Sequence, residues 1–153
     1  MSTQQNEVLN TNTGDRSRGD GAVQDEVEMA SAGDTLRVGS GDFDFVDITK
    51  NGLTLDGDGM DETTLSGNQL NIDATDVTVQ DAEVDASGLA IDVEPGAEAD
   101  GLRIENVRIA EGASNGLRIS ANGTTEDPVD KADGLYIDNF EVINNANKAM
   151  YLE

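Results

Sequence analysis

Between Asn51 and Glu153 one short phrase recurs in altered form, and no other feature limits the possible folds as strongly. It reads NGLTLDG from Asn51, TDVTVQDAEV from Thr75, ADGLRIENVRI from Ala99 and ADGLYIDNFEV from Ala132. Aligned on the first apolar residue, the copies begin at Leu53, Val77, Leu102 and Leu135, in steps of 24, 25 and 33 residues. A shorter phrase follows each: NQLNID (Leu70), SGLAID (Leu89), NGLRIS (Leu117) and KAMYLE (Met150). A period in the range of roughly 20–50 residues is the signature of stacked, repeated units.

Within each phrase apolar residues alternate with others, which is strand periodicity. The pairs Val77/Val79, Leu102/Ile104 and Leu135/Ile137 open each copy. Asp81, Asn106 and Asn139 follow at a bend, where such side chains hydrogen-bond their own backbone. Second strands carry Ala82/Val84, Val107/Ile109 and Phe140/Val142, and third strands Leu89/Ile91, Leu117/Ile119 and Met150/Leu152. Three short strands per repeat predict an all-β chain wound as a single-stranded parallel β-helix of roughly four to five coils. A sandwich of short strands is the alternative, but a sandwich has no reason to repeat its sequence.

Upstream of the repeats, residues 1–19 form a polar arm with Val8 and Leu9 as its only apolar anchors. Alone it is expected to be disordered, so a neighbouring subunit is the expected agent of order. Residues 20–32, DGAVQDEVEMASA, place Val23, Val27 and Ala30 on one helical face, with Asp20 or a neighbour as N-cap and Gly33 as stop. Such a helix would cap the first coil of a domain spanning 20–153, with coils over 33–153. The stretch 120–133, with Pro128 and its Gly, Asn and Thr content, reads as a surface loop. It marks either a binding side or a tolerated insertion.

The run VQDEVEMASAGDTLRVGSGDF, followed by ITKNGLTLDGDGMDETTLSG, resembles the opening of pectin-lyase-like right-handed parallel β-helix proteins. Their usual form is a capping helix, a GDT turn, a G-x-aromatic turn and a GLTL strand. The resemblance covers 23–152 and implies a right-handed helix of strands. It implies little about activity, because fold does not carry function.

The charge balance narrows the possible partners. There are 32 acidic residues against nine basic, a net charge of -23. Such a surface repels nucleic acid and anionic membrane, and no apolar run reaches the ~20 residues of a membrane span. Molar salt shrinks the Debye length to about 3 Å and removes most of the self-repulsion. The composition therefore suits a salt-loving source; an acidic, calcium-dependent secreted protein is the alternative. The chain has neither Cys nor His, which removes disulfides, thiol chemistry and the commonest general base. Its opening, MSTQQNEVLNTNTGDRS, lacks the basic and apolar regions of a secretory signal.

Candidate chemistry is sparse. Hydrolases of the resembled family carry a DD pair, a GHG turn and an RIK-type strand, and none of these occurs here. Arg103, Arg108 and Arg118 are expected to point outward from different faces, each held by a carboxylate, with Arg108 between Glu83 and Glu141. No catalytic or cofactor-binding residue is assigned. Asp56, Asp58 and Asp61, in DGDGMDE, imitate a calcium loop without its closing Glu, and a structural Ca²⁺ or other cation is the expected occupant if that turn holds a metal.

The final phrase, KAMYLE, has no capping segment after it. Phe140, Val142, Met150, Tyr151 and Leu152, together with Val8 and Leu9, are therefore expected to meet other chains; a fragment of a longer protein would explain the same end. These features favour a non-enzymatic structural protein: a component of a halophilic virus particle, exposed on its surface and forming a homo-oligomer, a trimer first. A carbohydrate-binding or polysaccharide-degrading protein of a haloarchaeon is the alternative, with Tyr136 or Tyr151 as sugar platforms beside the 120–133 loop. A calcium-stabilised surface adhesin is a third possibility.

Overall fold

The computed structural model describes residues 4–67, 69–93, 100–110, 113–119, 134–144 and 147–152, with Tyr151 and Leu152 by backbone only. The chain begins with β1 (Glu7–Asn10) and β2 (Arg16–Arg18), then α1 (Ala22–Met29). β3 (Thr35–Val38), β4 (Gly41–Phe43), β5 (Asp47–Ile48), β6 (Thr54–Asp56), β7 (Thr63–Gly67) and β8 (Leu70–Ile72) follow. Longer strands complete the chain: β9 (Thr78–Ala86), β10 (Leu89–Val93), β11 (Arg103–Ile109), β12 (Asn115–Ile119), β13 (Tyr136–Val142) and β14 (Lys148–Leu152).

These strands form two sheets, and the expected single right-handed parallel β-helix of four to five coils is not what they build. The nine-stranded sheet is mixed, in the order β13-β11-β9-β6-β3-β1-β2, with β4 and β7 off that path. Its far end is antiparallel, β1 pairing with both β2 and β3. It also branches, because β9 takes β6 along its first half and β7 along its second. Only the five-stranded sheet, β14-β12-β10-β8-β5, is parallel throughout. The repeat period reports the parallel pairings from Thr54 onward. It contains no information about Glu7–Asn10, which lies outside the repeats and pairs the other way.

Where strands are parallel, like residues stand over one another. Registers set Leu36, Leu55, Val79, Ile104 and Ile137 in one column. Residues just before those strands also stack: the N–H of Thr78, Arg103 and Tyr136 donates to the carbonyl of Leu53, Val77 and Leu102, each at 2.9 Å. In the second sheet Leu70, Ile91, Leu117 and Met150 share a column. The core is Leu, Ile and Val from both sheets, with Phe43 the one fully buried aromatic residue among the described residues. Each such side chain contributes roughly 1.5–3 kcal/mol on burial.

Bends inside the long strands sit at Asp81, Asn106 and Asn139, at φ of 54°, 51° and 47°. Left-handed backbone costs most residues about 1–2 kcal/mol, and Asn and Asp adopt it more readily through short polar side chains. Here those side chains also join the strands: Asn106 Nδ2 donates to Asp81 Oδ1, and Asn139 Nδ2 to Asn106 Oδ1. Gly57 precedes them on β6's side, where an added Cβ would lie 2.1 Å from the Asp81 carbonyl oxygen.

Residues 4–18 are part of the fold rather than an arm awaiting a neighbour. Val8 and Leu9 are buried within their own chain, so neither is available as the interface residue expected from the sequence. What makes this possible is Glu7. Its buried carboxylate accepts from Arg16 and from Arg18 (2.7 and 2.9 Å), the two arginines lying two residues apart on one face of β2. Beside the hairpin, α1 buries Ala22, Val23, Glu26 and Val27. Gly21, the neighbour of Asp20, occupies the N-cap, without a side-chain bond.

Candidate functional site

Three places hold enough chemistry to be weighed: the outward ion pairs of the large sheet, the capped end around β1, β2 and α1, and the outermost strands β13 and β14.

On the large sheet, parallel register decides which charges meet. Arg108 lies between Glu83 and Glu141 in adjacent strands, at 3.4 and 3.1 Å, and reaches Asp61 at 2.7 Å. Asp61 and Glu141 raise the Arg108 pKa further, against the opposing effect of burial. This is the partnership read from the sequence, with Asp61 added. Arg103 pairs with Glu105 on its own strand at 2.6 Å and covers the Tyr136 ring at 4.5 Å from its centroid. Arg118 donates from Nε to Asp92 Oδ1 at 2.8 Å in the second sheet. All three arginines hold carboxylates, Arg108 and Arg118 across strands and Arg103 within its own strand while it covers Tyr136 of the next.

The proposed calcium loop is dispersed by the same pairing. Asp56 meets Arg37 at 3.4 Å and Gln80 at 2.8 Å; Asp58 lies 3.7 Å from Arg37; Asp61 turns to Arg108. Among the described residues no group of three or more acidic, His or Cys side chains is arranged to hold a metal ion. Asp56, Asp58 and Asp61 are thus salt-bridge partners of arginines on other strands, Arg37 for the first two and Arg108 for the third.

At the capped end, burial pushes the Glu7 carboxyl up, but hydrogen bonds and charge from Arg18 and Arg16 outweigh it and hold the pKa below its ordinary 4.5. Asp34 is held below its ordinary 3.8 by the Asn10 amide, then by the Ser31 N–H, against burial. Glu26 is wholly buried; Oε1 accepts from Ser17 Oγ at 2.7 Å, and Oε2 has no partner among the described residues. None of these buried acids was identified from sequence, although the Arg-Ser-Arg alternation of β2 is a visible sign that one strand face needs a carboxylate. Nearby, Asn6, Asp20, Asp42, Asp44 and Ser66 line a pocket of about 310 Å³.

The third place is the outer boundary of both sheets. Val79 and Ile104 are fully buried, whereas Ile137, in the same column, is half-buried. Leu135, Phe140 and Val142 are likewise only partly covered, and Met150 is 42% exposed. Of the expected interface residues, Phe140, Val142 and Met150 lie at this boundary; the side chains of Tyr151 and Leu152 fall outside the described residues, as does the 120–133 loop.

Compared with family models, with curated proteins and with solved structures, the chain matches none. The resemblance over 23–152 therefore rests on its quoted motifs alone. No helix among the described residues is long and apolar enough to cross a membrane.

Proposed function

We propose that this protein is a non-enzymatic structural component of a larger assembly, joined to neighbouring chains through β13 and β14. One observation carries the reading: columns of apolar residues buried in every inner strand emerge half-covered on the outermost described strands, at Ile137, Phe140, Val142 and Met150. Outermost strands offer unpaired backbone groups to another chain, and apolar side chains beside them add to the gain on docking. The acidic surface suits a particle that lives in concentrated salt, and a virion of a halophilic host is the setting we favour, with a homotrimer the first symmetric form to seek.

The carbohydrate reading has less support, since Arg103 lies across the Tyr136 ring that would serve as a platform. Native mass measured in molar salt over a concentration series tests the proposal. Species heavier than the 16.1 kDa chain, lost on Asp138→Pro in β13, are expected. A monomer at every concentration overturns it.

A further inference from the structure

We infer that the outer edge of β13 accepts a strand of β11-like chemistry from another protein: alternating apolar residues, an asparagine at the bend, and an arginine or lysine two residues beyond it. The inference rests on the docking role of β13 and specifies what docks there.

The warrant is that β13 repeats the acceptor pattern of β9, and the structure shows what β9 accepts. β9 presents Asp81 and Glu83; β11 answers with Asn106 Nδ2 at 3.0 Å from Asp81 Oδ1 and Arg108 Nη1 at 3.4 Å from Glu83 Oε2. In β13 the same places hold Asn139 and Glu141, with the bend at φ 47° against 54° in β9. Ile137, Phe140 and Val142 stand where β9 has Val79, Ala82 and Val84.

Two acceptors on β13 are left without donors among the described residues. Asn139 uses Nδ2 on Asn106, and its Oδ1 accepts nothing from the described residues. Asp138 is exposed and makes no ion pair or hydrogen bond with them. Glu141, nearly half exposed, already takes one bond from Arg108 and has room for a second. A second copy of β13 would bring Asp138 and Glu141 close to their own likenesses, and like charges on paired strands are unfavourable. Charge complementarity thus favours a basic strand from a different chain.

The probe is a labelled synthetic peptide with the sequence of residues 101–110, GLRIENVRIA, titrated into the full chain in molar salt. Saturable binding is expected, weakened about tenfold or more by Asn106→Leu or Arg108→Glu in the peptide. Glu141→Lys in the full chain should reject the parent peptide and restore binding of the Arg108→Glu peptide. No binding, or binding indifferent to these changes, overturns the inference. If the chain still forms species heavier than the monomer, that result leaves the assembly role standing. A monomeric chain that binds the peptide with this pattern does the reverse: it removes self-assembly and upholds strand acceptance.

Discussion

Asn106 donates from Nδ2 to Asp81 Oδ1 at 3.0 Å while itself holding a left-handed backbone at φ 51°. One residue thereby bends β11 and ties it to β9. Asn106→Ala should cost about 1–2 kcal/mol for the backbone alone, with the lost side-chain bonds added. Asn106→Gly keeps the bend without that strain and loses only the bonds. Urea unfolding of the two variants separates the contributions; equal losses would show that the left-handed conformation carries no penalty here.

Ile104 and Ile137 occupy one column, the first fully buried and the second half-covered. Ile104→Ala should cost about 2–5 kcal/mol, the range for a buried large-to-small change. Ile137→Ala should cost clearly less in the isolated chain, and more once a partner covers it. Chemical denaturation with and without the assembled form gives both numbers.

Acid should unfold the capped end first. Glu7 and Asp34 both have folded pKa values below their ordinary 4.5 and 3.8. A depressed carboxylate adds stability above its unfolded pKa and loses it as pH falls through the folded value. Stability should therefore hold at neutral pH and fall from about pH 4.5 downward. Glu7→Gln should flatten that fall and lower stability at neutral pH, because Arg16 and Arg18 lose their shared carboxylate. Melting curves from pH 7 to pH 2 check both effects.

Salt should stabilise the chain without any specific cation. With a net charge of -23, raising monovalent salt from about 0.1 M to 1 M shortens the Debye length from about 10 Å to 3 Å and should raise Tm. Calcium at matched ionic strength should add nothing beyond this, since arginines hold Asp56, Asp58 and Asp61. A calcium-specific shift removed by chelation would restore a metal role to that turn.

Glu26→Gln should be neutral or stabilising, because Ser17 keeps its acceptor while an amide is less costly to bury than a carboxylate oxygen with no donor among the described residues. Thermal unfolding at neutral pH reads this directly, and a large loss would mean that Oε2 has a partner after all.

The repeat made the parallel pairings from Thr54 onward legible, down to Asp81, Asn106 and Asn139 at the bends and Arg108 between two glutamates. Those features are translational, and a sequence period records translation. The antiparallel hairpin was not legible, because Val8 and Leu9 are too few to outweigh a polar composition. Glu7 reads as one more surface acid until Arg16 and Arg18 are seen to fold over it. The branching of β9 escaped for another reason: a period reports which strand follows which, and says nothing about one strand serving two partners. The boundary at Phe140, Val142 and Met150 could be placed from the phrase itself, whereas Asp56, Asp58 and Asp61 looked alike in sequence and were separated by arginines from distant strands.

Tandem likeness carries a hazard. Strands that share a bend and an apolar pattern can anneal one unit out of step, as a zipper catches on the wrong tooth. What tells the steps apart is where they differ: Arg108 has a glutamate on either side only when β11 lies between β9 and β13, and Phe140 is far larger than the Ala82 it copies. Those two residues act as keys against misthreading, and a chain in which they matched their counterparts would have little to choose between correct and shifted pairing.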